Sequence, residues 1–257
     1  MADPSQGFAI DPLHQFEIVP ILPITVGGMD VSFTNAAFFM AVAVVLISSL
    51  LIYGMRGRAL VPGRLQSVAE MFYEFVANMV REHAGNDARP YFPFVFSIFM
   101  FILFGNMIGM VPGAFTFTSH IIVTFALALT VFVFVTVLGI VKHGMHFFAF
   151  FLPTGAPIVL APLIVPIEIV SYLSRPLSLS IRLFANMMAG HTMLKVFAYF
   201  SIGLVTVMGG AGGWGLGILP IALNVALIGF ELLVAFLQAY VFTILTCLYI
   251  RDAIELH

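Results

Sequence analysis

Two apolar segments of this chain are longer than a membrane crossing requires. Residues 157–208 would make a helix of about 78 Å and residues 217–250 one of about 51 Å, at about 1.5 Å per residue. A bilayer core is about 30 Å thick. Each segment must therefore be bent or strongly tilted. Pro157, Pro162, Pro166 and Pro176 are the candidate bends in the first. The stretch GGAGGWG at 209–215 reads as a flexible linker that lets the two run antiparallel.

The remainder of the chain is built from shorter spans. Residues 33–54 form the first, after an acidic tail (1–32, with Asp3, Asp11, Glu17 and Asp30) placed outside the cytoplasm. Residues 91–141 form a helical hairpin, with spans at 92–111 and 120–141 around the turn PGAFTFTS. Residues 64–83 differ. Leu65, Val68, Met71, Phe72, Phe75, Val76, Met79 and Val80 recur at helical spacing, with Glu70, Glu74, Arg81 and Glu82 off that stripe. That pattern predicts an amphipathic helix lying on the membrane surface. With 61% hydrophobic and 9% charged residues against about 25% charged in soluble domains, the chain reads as a single membrane domain.

Basic residues set the orientation. Arg56, Arg58, Arg64, Arg81 and Arg89 lie between the first two spans, Lys142 follows the third, and Arg251 follows the last. If the N-terminus is outside, all seven fall on one side. The positive-inside rule then makes that side the cytoplasm and places the C-terminus there. The tail has no basic region and no cleavage site of a secretory signal. The lone Cys247 excludes an intrachain disulfide.

Arg182 is the costliest residue in the sequence. It sits in SLSIRLFANMMAGH, where a cation at membrane depth costs at least about 2.5–3.5 kcal/mol. A snorkelling arginine belongs near a helix end, but apolar residues continue for many positions beyond Arg182. Glu168, Ser171, Ser174, Arg175, Ser178, Arg182 and Asn186 all fall on one helical face about 120° wide. Polar glue between helices would explain serines alone. Two arginines and a glutamate with them indicate a polar path.

The last segment carries Asn224, Glu231 and Gln238 at seven-residue spacing, nearly on one face. An antiparallel register sets Arg182 opposite Gln238, His191 opposite Glu231 and Glu168 opposite Arg251. His191 and Glu231 are proton-exchanging groups on the outer side of Arg182. Glu168 and the serines lie on the inner side. The guanidinium keeps its proton. Two titratable half-paths separated by a fixed cation need a moving carboxylate to carry protons past the block. Neither helix offers one, so a partner subunit must supply it.

Other features bound the function. His143 and His146 flank Lys142 but are too few for a metal site. His120 reads as interfacial, and Lys195 either reaches the outer headgroups or packs its stem along a neighbour. A phosphate-cradling glycine loop is missing, so no nucleotide is expected on this chain. A net charge of −2 gives no basic face for nucleic acid. The pattern calls for no cofactor.

PLSLSIRLFANMMAGH, with PIEIVSYLSR upstream and FELLVAFLQAYVFTILTCLYI downstream, resembles subunit a of the rotary F-type ATP synthases. The resemblance extends over PLHQFEI and FGNMIGMVPGAFTFTSH, and the tail looks alphaproteobacterial, with a mitochondrial member as the alternative. It implies an all-α membrane protein: five transmembrane helices, one amphipathic surface helix, and a long, antiparallel, strongly tilted final pair. It implies that Arg182 faces a carboxylate of the c-subunit ring, with Asn186 and Gln238 beside it. His191 and Glu231 would serve an outer half-channel, and Glu168, Ser171, Ser174 and Ser178 an inner one. Implied partners are the c ring, b-type peripheral stalk subunits, the rest of the ATP synthase and membrane lipid. The implied location is the bacterial inner membrane. Two rivals differ in class. A self-contained ion-coupled secondary transporter predicts internal repeats and a midplane cavity, and neither is visible. A quinone-binding respiratory subunit predicts a ligand set that the sequence does not offer.

Overall fold

A computed structural model describes residues 14–26, 29–30, 32–57, 61–111, 113–145, 147 and 160–255. Expectations that fell on Arg58, His146, Pro157 and the first 13 residues lie outside them. Two short antiparallel pairs precede the helices: β1 (Pro20–Leu22) with β4 (Phe33–Thr34), and β2 (Thr25–Val26) with β3 (Met29–Asp30). The tail is thus folded back rather than simply extended. Asn35 fastens it, donating from its backbone N to Val19 O (3.1 Å) and from Nδ2 to Glu17 O (3.0 Å).

Six helices follow: α1 (Asn35–Met55), α2 (Arg64–His83), α3 (Phe92–Gly109), α4 (Ile121–His143), α5 (Ala161–Met208) and α6 (Gly210–Ile254). Thr34 caps α1, its hydroxyl accepting from Ala37 N at 3.3 Å. A 3-10 turn, Asn86–Tyr91, leads into α3. All but α2 are long and apolar enough to cross a membrane. The expected class, all-α with five spans, an amphipathic helix and a long final pair, is what the structure shows.

Three details differ from the sequence reading. Pro162 lies in the first turn of α5, where a missing N–H costs nothing, so it starts the helix rather than bending it; Pro166 and Pro176 lie inside. Lys142 belongs to the last turn of α4 rather than to a loop after it. The glycine stretch is not a linker. Only Gly209 breaks the helix, at φ +56, and α6 begins at Gly210. Each helical glycine costs about 1 kcal/mol relative to alanine. In lipid, an unpaired backbone costs more, so the helix prevails.

The core joins five helices. Val76 of α2, Phe99 of α3, Val131 of α4, Leu183 of α5 and Phe242 of α6 are among its fully buried members. The central helix is α3: 56% of an 18-residue apolar window in it is buried, against 6% and 11% of the corresponding windows in α5 and α6. The final pair therefore packs on the bundle with one edge and leaves most of its length open. On α2 the predicted stripe is covered only in its second half. Val76, Met79 and Val80 are buried, while Leu65 and Met71 are exposed.

Candidate functional site

Helices α5 and α6 run antiparallel, as their cross-pairs show. Asn186 Nδ2 donates to Gln238 Oε1 at 2.8 Å. His191 Nδ1 lies 3.5 Å from Glu231 Oε1. Arg175 Nη1 donates to Asp252 Oδ2 at 3.0 Å. The expected His191–Glu231 pairing is present. The other two expected pairings are not. Gln238 meets Asn186, one turn beyond Arg182, and Arg251 pairs within its own helix to Glu255 at 3.2 Å. Among the described residues Glu168 has no ion pair.

The outer cluster is buried. His191 is 8% exposed and Glu231 5%. Glycine makes this possible, since a Cβ on Gly190 would stand 2.7 Å from Glu231 Oε1. On its other side, His191 Nε2 shares a 3.1 Å hydrogen bond with Thr116 Oγ1, whose hydroxyl also reaches Gly109 O at 3.3 Å. Thr116 comes from the α3–α4 turn. It fits because residue 109 has no side chain; a Cβ there would lie 2.5 Å from Thr116 Oγ1. If the hydroxyl donates to Gly109, the imidazole donates from Nε2 and Nδ1 can accept a proton from Glu231. Both Glu231 oxygens lack a hydrogen bond among the described residues. Phe16 sets its ring edge-on to His191 at 6.5 Å. A cavity of about 450 Å³, lined in part by Gln15, Phe16, Thr116, His191 and Lys195, opens onto the imidazole. Asn224 is partly buried further along α6. Next to the turn, His120 stacks on Phe115 (5.1 Å), and burial pushes its imidazole below the ordinary 6.5.

Arg182 lies on the open face of α5. It is exposed and makes no hydrogen bond or ion pair among the described residues. Ser171, Ser174, Ser178 and Asn186 are exposed on the same side, Ser174 donating to Ser171 O at 2.7 Å. Around them stand Leu173, Leu177 and Ile181, also exposed.

Arg175 departs from this stripe by turning inward. Its guanidinium lies over the rings of Tyr172 (5.4 Å) and Tyr249 (5.1 Å) as well as against Asp252. Tyr172 OH shares a 2.8 Å hydrogen bond with Thr136 of α4. Thr116, Gly190, Tyr172, Tyr249 and Asp252 were not singled out from sequence. The hydroxyl-rich turn TFTSH inside an apolar hairpin was the available signal for Thr116. For Asp252 it was the antiparallel register, continued to the helix end.

A family model described as ATP synthase A chain matches residues 37–251. ATP synthase subunit a of Parvibaculum lavamentivorans is 59% identical over 249 residues, covering 97% of this chain and 95% of that one. The subunit a proteins of Mesorhizobium japonicum and Pelagibacter ubique are each 55% identical, over 246 and 250 residues, covering 96% and 97% of this chain and 97% and 99% of theirs. With the long α5–α6 pair and a match over most of its length, the chain belongs to the ATP synthase A chain family.

Proposed function

We propose that this chain is the proton-translocating stator subunit of an ATP synthase membrane sector. It gives protons two half-channels separated by Arg182, beside a ring of c subunits. The observation that carries this reading is the guanidinium of Arg182 on the open face of α5, exposed and without a partner among the described residues. A cation so placed suits a carboxylate that arrives on a moving partner. A proton enters through the cavity at Phe16 and Lys195 and is held between His191 and Glu231. It then passes along Gln238 and Asn186 to the partner's carboxyl, about 13 Å along the helix from His191 to the level of Arg182. The neutralised carboxyl moves away from Arg182 through lipid. On its return, the proton leaves past Ser178, Ser174, Ser171 and Glu168 on the inner side, and Arg182 prevents a direct leak. Each charge crossing yields about 2.3 kcal/mol per 100 mV. The chain itself catalyses no bond change. B-type stalk subunits hold it against the ring, in a bacterial inner membrane with the N-terminus periplasmic.

Arg182→Ala should abolish ATP-driven acidification of vesicles while the complex still assembles. Normal acidification by the assembled variant would overturn the proposal.

A further inference from the structure

Outside the proton path, a cavity of about 580 Å³ lies between the C-terminal half of α2 and the entry to α3. It is lined by Tyr73, Ala77, Arg81, Arg89, Phe92 and Pro93, among others. Its volume falls within the range of about 300–1,000 Å³ common for ligand sites. Two arginines reach it from different elements, Arg81 from the last turn of α2 and Arg89 from the 3-10 turn. Arg81 donates to the neutral Asn78 (3.1 Å), and Arg89 has no hydrogen bond or ion pair among the described residues. Glu74, Glu82 and Asp87 are close in sequence but neither line the cavity nor pair with either guanidinium. Apart from these arginines and Asn78, the rest of the lining is apolar or aromatic. The Tyr73 and Phe92 rings meet edge-on at 4.8 Å, and Phe92 stacks on Phe96 at 5.5 Å. The cavity lies where the second candidate span, Asn86–Gly109, begins, the level of a helix at which lipid gives way to water.

We propose that this cavity binds the headgroup of an anionic phospholipid. The two guanidinium forks hold its phosphate, and its acyl chains continue along Phe92 and Phe96. Arginine presents paired donors that match phosphate oxygens. Basic pockets at span ends are the kind of site that collects anionic headgroups. The bland reading, two solvated surface cations, leaves the shared concavity and its aromatic floor without purpose. A lipid held here would tie the end of α2 to the start of α3. The proposal stands apart from the proton path and does not depend on which side faces the cytoplasm.

The test is titration of short-chain phosphatidylglycerol into the detergent-solubilised complex carrying this chain, with bound lipid counted by native mass spectrometry. Phosphatidylcholine and inorganic phosphate form separate arms. Each arginine should contribute about fivefold to affinity and the pair about thirtyfold. Arg81→Gln with Arg89→Gln should therefore lose one tightly held phosphatidylglycerol per chain. Arg64→Gln, outside the cavity, should lose none, and Arg81→Lys with Arg89→Lys should retain most. If the double variant assembles poorly, Arg89→Gln alone carries the test, since that side chain bonds to no described residue. Unchanged affinity in it, equal binding of phosphatidylcholine by the wild type, or equal affinity for inorganic phosphate would each overturn the proposal.

Discussion

At the scale of single residues, the outer cluster depends on what is absent from two positions. Gly190 and Gly109 leave room for the Glu231 carboxyl and the Thr116 hydroxyl, so the His191 ring is gripped from both sides. Gly190→Ala is favoured by helix propensity by about 1 kcal/mol, yet its Cβ must displace the carboxyl. ATP-driven proton pumping should fall severalfold while the assembled complex keeps or gains thermal stability; unchanged pumping would show that the carboxyl position is immaterial. The pairing itself predicts more. His191→Ala and Glu231→Ala should each slow ATP synthesis in vesicles. The exchange His191→Glu with Glu231→His should recover part of the rate, because it restores one acid and one imidazole at the same depth. Additive losses without recovery would remove the relay. The ionisable members of this cluster were legible in the sequence because charge in an apolar run is conspicuous. The glycines and Thr116 were not, since a missing side chain or a turn hydroxyl acquires meaning only from the group packed against it.

At the scale of elements, the register between α5 and α6 decides which charges meet. Sequence periodicity located α2 at 64–83, and the antiparallel rule found His191 opposite Glu231. It failed at Arg182, where an extra turn brings Asn186 to Gln238, and at the inner end, where Arg175 takes Asp252. Side-chain length explains the second failure, since an arginine reaches past its own turn to a partner that helical depth alone does not pair. Arg175 and Asp252 are 22% and 43% exposed, so the ion pair alone should be worth no more than about 1 kcal/mol. Contact with two tyrosine rings adds about 0.5–1 kcal/mol each at such sites. Asp252→Asn should therefore lower the thermal stability of the assembled complex only slightly. Arg175→Met, which loses rings and carboxylate together, should lower it more. Equal effects would mean that the rings contribute nothing. The glycine run that opens α6 shows the limit of reading flexibility from composition, because the surrounding solvent decides whether glycine frees the chain.

At the scale of the whole molecule, the internal contacts fix which features share an end, whatever the membrane does. Thr116, in the α3–α4 turn, bonds His191, so that turn and the His191–Glu231 cluster lie at one end. His143 Nε2, at the close of α4, lies 3.1 and 3.2 Å from the carbonyls of Ala253 and Ile254, so the ends of α4 and α6 lie at the other. Lys142 and Arg251 are at that second end, and so is the start of α3, with the described arginines of the segment joining α1 to α3, Arg56, Arg64, Arg81 and Arg89. Among the described residues, the six basic ones outside α5 therefore gather opposite the His191 cluster. Because cytoplasmic loops of membrane proteins carry the excess of Lys and Arg, we propose that the chain sits with the cluster outward. A tag after His257 should thus be inaccessible to a membrane-impermeant reagent in intact cells, and a tag before Met1 accessible once the outer barrier is opened. Labelling of the C-terminal tag from outside would reverse the direction of the proposed path, placing His191 and Glu231 at the proton exit, while leaving the pairings within α5 and α6 as they are.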